Sequence, residues 1–190
     1  MDRLDEISWP VRTERLLIRR ATTDDAGTTW PFRRLPEVTR WMTAGPTTFD
    51  AYRERFLDPD RLSKTLVVER DGEVVGDLML QVRDAWAQVE VAHRAKDVEA
   101  EIGWCVNPEH GRQGIATEGA AELLRLCLEV LALHRVSASC FVDNAASWRV
   151  MEKLGMRREM HTRKDALLRT GEWADGLMYA ILAEEWRERM

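Results

Sequence analysis

The stretch Val106-Asn107-Pro108-Glu109-His110-Gly111-Arg112-Gln113-Gly114-Ile115-Ala116-Thr117-Glu118 joins an apolar run, EAEIGWCV at 99–106, to a long helical pattern that begins at Ile115. Asn107-Pro108 ends the strand-like run, a polar loop with two glycines follows, and a helix starts. Successive backbone N–H groups in such a loop, together with the positive end of the helix, make a ready anion site for a phosphate or pyrophosphate. No Gly-Lys-Ser/Thr follows, so the loop is not a Walker A sequence. The spacing Gly-x-Gly-x-x-Gly is also absent. Two isolated glycines satisfy an ordinary β–α turn equally well, so the stretch takes its meaning from what surrounds it.

Downstream, Ala120, Leu123, Leu124, Cys127, Leu128 and Leu131 recur at helical spacing and predict a helix from Ile115 to about Leu131. A strand at 134–142 (HRVSASCFV) leads to a helix from Asn144 through Leu154, stopped at Gly155. Two strands, about 156–164 and 176–184, end the chain. Upstream, 65–69 and 73–82 flank Arg70-Asp71-Gly72 and predict a hairpin. Residues 13–21 (TERLLIRRA) read as a first strand, and Thr22-Thr23-Asp24-Asp25 as a capping pattern. A helical stretch over 23–42 is broken at Pro31 and Pro36, and a short helix follows at about 49–57. Residues 84–98 mix both periodicities and read as a long connection. The order β α α β β β α β α β β is an α/β mixture.

The 190 residues suit one domain spanning 1–190, and 45% hydrophobic with 32% charged residues supplies a sizeable core. There are 28 Lys+Arg against 33 Asp+Glu, a net charge of -5, which disfavours a nucleic-acid partner. Cys105, Cys127 and Cys140 match neither a disulfide framework nor a zinc-binding pair, as expected of reduced thiols in the cytosol. MDRLDEISWPVR lacks the pattern of a signal peptide, and no apolar run approaches the ~20 residues that span a bilayer. A soluble cytoplasmic protein with no membrane partner is expected.

The opening stretch resembles the pyrophosphate loop of the GNAT superfamily of acyl-CoA-dependent N-acyltransferases, Gln/Arg-x-x-Gly-x-Gly/Ala after a strand ending in Val-x-Pro. Val106-Asn107-Pro108 matches, Gly114 and Ala116 take the small-residue positions, and Gly111 departs from the usual Gln or Arg. A second block, Val142 to Met156, is similar to the family's Asn-x-x-Ser…Glu-Lys-Leu-Gly-Phe segment. Thr13-Glu14-Arg15-Leu16-Leu17-Ile18-Arg19 and Gly171-Glu172-Trp173-Ala174-Asp175-Gly176 resemble the RimJ/RimL-type branch, which includes N-terminal acetyltransferases of ribosomal proteins.

The resemblance covers roughly residues 12–187. It implies a central mixed, mostly antiparallel sheet of about seven strands flanked by helices, with acetyl-CoA held at a splayed strand pair. Trp104, Cys105 and Val106 would supply the backbone that pairs with the pantetheine arm, where one N–H can also meet the oxyanion of a tetrahedral intermediate. Gly111, Arg112, Gln113, Gly114, Ile115, Ala116 and Thr117 would cradle the phosphates. Dimers are common in that branch, and only the resemblance supports a homodimer here.

Acetyl transfer to an amine needs a neutral amine, a polarised thioester carbonyl and a proton for the departing thiolate. Most free amines are protonated at neutral pH, so a base helps. Glu101 stands where many enzymes of the family carry an acidic residue; Glu99 and Glu101, two apart, also fit one solvated strand face. Ser147 matches the serine proposed in some RimL-like enzymes to protonate the leaving thiolate, or is a first-turn serine bonding backbone amides. Asn144 caps that helix or bonds the pantetheine arm or a water. His93 and His161 have no visible orienting partner, His110 reads as a solvated loop residue, and His134 reads as structural. Cys105 and Cys140 read as small buried residues.

Asp84, Glu90, Asp97, Glu99 and Glu101 against Arg83, Arg94 and Lys96 give residues 81–101 a net charge of -2, which suits a cationic amine and equally a plain surface strip. A protein N-terminus, a polyamine, an aminoglycoside-like drug or an amino-acid-like metabolite all fit as the acceptor. A non-catalytic acyl-CoA-binding or partner-binding module would keep the loop without needing Glu101 or Ser147. Of the 8 tryptophans, Trp30, Trp41 and Trp86 lie in segments this fold places around an acceptor, while Trp9, Trp173 and Trp186 read as terminal packing.

Overall fold

The computed structural model describes residues 2–189. Along the chain run β1 (Val11–Arg12), β2 (Leu17–Arg20), α1 (Asp25–Arg33), α2 (Pro36–Thr39), α3 (Phe49–Phe56), α4 (Pro59–Ser63), β3 (Thr65–Arg70), β4 (Glu73–Arg83), β5 (Glu99–Val106), α5 (Ile115–Arg125), β6 (Arg135–Phe141), α6 (Ala145–Lys153), β7 (Arg157–Leu167), β8 (Trp173–Leu182) and α7 (Ala183–Arg187). The fold is mixed α/β, with eight strands in the order β1-β2-β3-β4-β5-β6-β8-β7. No helix among the described residues is long and apolar enough to cross a membrane. The residues group into two compact units, Ser8–Leu80 with Trp104–Glu122, and Met1–Ile7 with Gln81–Gly103 and Leu123–Met190.

In the first unit, the strand expected over 13–21 shortens to β2 at Leu17–Arg20, and a separate short strand, β1 at Val11–Arg12, precedes it and raises the strand number to eight. The Thr13 N–H donates to the Leu16 carbonyl (2.9 Å) and the Leu16 N–H to the Thr13 hydroxyl (3.0 Å), closing a turn between β1 and β2. The capping pattern at 22–25 works through Asp25, whose carboxylate accepts the Thr22 N–H at 2.7 Å and also both Nη groups of Arg19. Asp58 accepts the Arg61 N–H at 3.1 Å and Pro59 follows, the start signal of the unanticipated helix α4. Between β3 and β4, Asp71 (φ 53°) and Gly72 (φ 82°) form the two-residue hairpin turn that right-handed strand twist favours. Leu66, Val67, Val68, Val75, Leu78 and Leu80 fill the core. Gly76 lies so close to β5 that a β-carbon would sit 2.5 Å from the Cys105 carbonyl oxygen.

In the second unit, β5 pairs parallel with β6 over Glu99–Glu101 and Arg135–Ser137. β6 then pairs antiparallel with β8 along its whole length, and β8 with β7. The β7–β8 hairpin outruns the two strands expected at 156–164 and 176–184. Lys164 takes a positive φ of 48°, and its N–H donates to the Asp175 carboxylate at 2.9 Å, absorbing a register shift so that pairing resumes at Ala166–Ala174. Residues 84–98, expected as a plain connection, contain a 3-10 turn at Val89–Arg94, with Trp86 and Val89 exposed. Trp173 is also exposed, contrary to the packing expected of it, while the Trp186 indole donates to Glu129 at 2.8 Å.

Candidate active site

The loop after β5 is shaped by its own backbone. Asn107 accepts the Glu109 N–H on its side chain (3.2 Å), and Pro108–His110 forms a 3-10 turn closed by the Gly111 N–H on the Pro108 carbonyl (2.9 Å). A β-carbon on Gly111 would lie 2.9 Å from that carbonyl oxygen, so the tightness of this turn accounts for glycine at the position. Arg112 (φ 61°) and Gly114 (φ 82°) are both left-handed, a conformation that turns backbone N–H groups toward a common concavity. The first helical bond of α5 runs from Glu118 N–H to the Gly114 carbonyl at 2.9 Å, so the N–H groups of Ile115, Ala116 and Thr117 are helix-start donors with no partner among the described residues. Gly111, Arg112, Gln113 and Gly114 are exposed, while Ile115 anchors the helix in the core.

Two arginines brace this loop, and neither was anticipated. Arg15 donates Nη1 to the Gln113 carbonyl (2.9 Å) and Nε to Glu118 (2.7 Å); Arg70 donates to the Gln113 side chain (2.6 Å). Glu118 also accepts the Arg15 N–H (2.9 Å) and the Thr13 hydroxyl (2.5 Å). Burial works against the Glu118 charge, but the Thr13 hydroxyl and the Arg15 groups outweigh it and hold the carboxyl below its ordinary value. Thr13 and Arg15 lie in a block that drew notice only through the resemblance; their partner is more than a hundred residues away.

Trp104 and Val106 are half-buried on β5 and Cys105 between them is buried. Burial pushes the Cys105 thiol up to about 12 and the Cys140 thiol up to about 11, the reverse of what a cysteine nucleophile requires. Cys105 packs with Phe32 and Val38.

In the unit that holds β6, Glu101 is half-buried and its Oε2 accepts from Arg83 at 3.1 Å. Arg83 also donates to Ser137 at 3.0 Å and lies 3.9 Å from Glu99. Glu99 and Glu101 therefore share one strand face, as expected, but it is an ion-paired face instead of a solvated one. Asn144 caps α6 by accepting the Ser147 N–H at 3.2 Å, while the Ser147 hydroxyl bonds the Cys140 sulfur. Strand alternation places Ser137 and Cys140 on opposite faces of β6, so Glu101 and Ser147 reach β6 from opposite sides. His161 does have a partner, Asp175 at 3.3 Å. The His134 N–H donates to the Val98 carbonyl at 2.8 Å, and its carbonyl accepts the Ala183 N–H at 3.0 Å. No group of metal-ligating side chains occurs among the described residues.

The family model of the acetyltransferase (GNAT) domain matches residues 15–157. An L-amino acid N-acetyltransferase of Escherichia coli is 31% identical over 87% of this chain and 96% of its own length. An uncharacterized N-acetyltransferase of Bacillus subtilis is 44% identical over 45% of this chain, which spans only 50% of that relative. The crystal structure of a GNAT-family acetyltransferase from Bacillus anthracis superposes with a TM-score of 0.78 at 31% identity, covering 93% of this chain and 99% of that one. Acetyltransferases of ribosomal proteins are more distant matches.

Proposed function

The chain belongs to the acetyltransferase (GNAT) domain family, and on that premise we propose that it is an acetyl-CoA-dependent N-acetyltransferase whose acceptor is the primary amine of an amino-acid-like small molecule. The observation that carries the reading is the loop Gly111–Thr117: left-handed Arg112 and Gly114, with helix-start N–H groups at Ile115, Ala116 and Thr117. That arrangement fits a pyrophosphate, since it offers backbone donors at a helix start with no side chain in the way at Gly114. Backbone groups of Trp104, Cys105 and Val106 would hold the pantetheine arm.

In this reading the acceptor nitrogen attacks the thioester carbon, its proton passes to Glu101 directly or through water, and the carbon–sulfur bond breaks. Ser147 hydrogen-bonds the departing sulfur. Arg83 orients the Glu101 carboxylate through the contact at Oε2. The amino-acid class of acceptor is supported by the E. coli relative's name and its nearly full coverage.

A thiol-release assay with acetyl-CoA against a panel of L-amino acids, polyamines and peptide N-termini tests this. Acceptor-dependent CoA release with at least one amino acid is expected. Tight acetyl-CoA binding without acceptor-dependent release would instead make the chain a binding module.

A further inference from the structure

We infer that Arg15 is a positioning residue for the cofactor's diphosphate: it holds the Gln113–Gly114 peptide so that the loop before α5 presents its backbone N–H groups already aligned. The role rests on the acetyl-CoA reading and names the side chain that would make the loop a preformed cradle.

Arg15 lies in the turn between β1 and β2, and Glu118 on α5 fixes it at both ends. Glu118 Oε1 accepts the Arg15 N–H at 2.9 Å and the Thr13 hydroxyl at 2.5 Å. Glu118 Oε2 accepts Arg15 Nε at 2.7 Å and lies 2.7 Å from Nη2. One carboxylate thus holds both the backbone and the fork of Arg15, which aims Nη1 at the Gln113 carbonyl, where it donates at 2.9 Å. The Gln113 side chain is tied separately, its Oε1 accepting from Arg70 at the end of β3 at 2.6 Å.

Gln113 stands between two left-handed neighbours, Arg112 at φ 61° and Gly114 at φ 82°. Left-handed backbone at a residue with a side chain is disfavoured and persists only where the surroundings over-determine it. Arg112 and Gln113 make no backbone hydrogen bond among the described residues, so the two side-chain bonds to Gln113 are what hold this part of the loop. The 113–114 peptide is planar and trans, and aiming the Gln113 carbonyl at Arg15 therefore turns the Gly114 N–H the opposite way. That N–H has no acceptor among the described residues and joins those of Ile115, Ala116 and Thr117 as a donor for an anion. Glu118 already neutralises the Arg15 charge, and the Arg15 side chain is 40% exposed. An ion pair with so exposed a partner adds little to fold stability, which leaves its geometric effect on the loop as its distinctive contribution.

The test uses the full chain as wild type, Arg15→Gln, Arg15→Lys and Arg70→Gln. Amide NMR relaxation without cofactor reads the Gly114 N–H, whose order parameter should be about 0.85 in wild type and fall toward roughly 0.6 in Arg15→Gln. In titration calorimetry with CoA, Arg15→Gln should bind roughly ten-fold more weakly than wild type. Arg15→Lys should stay within about three-fold of Arg15→Gln, because one ammonium cannot span Glu118 and the Gln113 carbonyl as the planar fork does. Arg70→Gln leaves Glu118 untouched and should lose about three-fold, so a variant remains to judge the role if the Arg15 substitutions fail to fold. In turnover, KM for acetyl-CoA should rise by the same factor with kcat little changed. For S-acetylpantetheine, which lacks the diphosphate, kcat/KM should stay within about two-fold of wild type. Wild-type CoA affinity in either glutamine variant, full rescue by Arg15→Lys, an unaltered Gly114 order parameter, or an equal loss against S-acetylpantetheine would each overturn the role. No CoA binding by wild type would overturn it together with the acetyl-CoA reading. Absence of CoA release with every amine would remove only the enzyme reading, and calorimetry and relaxation would still decide the role of Arg15.

Discussion

Glu101 has one carboxylate oxygen engaged by Arg83, while no donor among the described residues reaches the other. A base needs that kind of arrangement, one oxygen to be held and one to take a proton. Glu101→Gln keeps the shape and the carbonyl contact to Arg83 but cannot accept the proton. We expect kcat/KM to fall by about 10²–10³ at neutral pH and to recover partly at alkaline pH, where the amine loses its proton unaided. A pH–rate profile superimposable on that of wild type would take Glu101 out of the mechanism. Glu101 is singled out by the family resemblance, from its place on the strand before the loop, since strand alternation alone does not separate it from Glu99. Its partner could not be picked from the sequence, because Arg83 meets Glu101 only once β5 and the end of β4 have formed.

At the scale of elements, the loop and α5 act as a unit pinned by Arg15, Arg70 and Glu118. Gly114 is its narrowest constraint, with a φ of 82° and a notional β-carbon 3.1 Å from the Arg15 Nη2. Gly114→Val must abandon the left-handed backbone or push Arg15 away, and its branched side chain would stand where phosphates are expected. Acetyl-CoA affinity, measured by calorimetry or tryptophan quenching on folded protein, should drop at least about ten-fold, and the melting temperature should fall as well because valine is strained at this φ. Undiminished affinity would contradict the cradle. The strand, break and helix of this unit were legible because alternation, Asn-Pro and helical spacing are short-range signals. What makes the loop rigid was not, since both arginines come from other elements. The same limit explains 84–98, where weak periodicity gave no sign that Val89–Arg94 forms a turn or that Trp86 stays in solvent.

For the whole molecule, the dependence of stability on pH follows from groups in both compact units. Asp25 and Glu118 in one, and Glu159 and Asp175 in the other, have carboxyls held below their ordinary values. For Asp25, burial raises the value, but the Arg19 guanidinium and the Thr22 donors lower it further. A carboxyl depressed by folding stabilises fully above its unfolded value, about 4, and that stabilisation is lost as pH falls toward the folded value. The reverse holds for Cys105, Cys140 and Tyr52, raised mainly by burial to about 12, about 11 and about 12. Their contribution is complete below the unfolded values, about 8.5 to 10, and declines as pH climbs from there. The melting temperature should therefore be flat from about pH 5 to about pH 8 and fall on both sides. If net charge governed instead, stability would peak near the isoelectric point of about 5.5. Melting curves at intervals from pH 3 to pH 10.5 separate the two, and Asp25→Asn should shrink the acid-side fall, because that carboxylate is the most buried of the four. A sharp maximum near pH 5.5, unaltered by Asp25→Asn, would mean that the paired carboxylates do not set the acid limb.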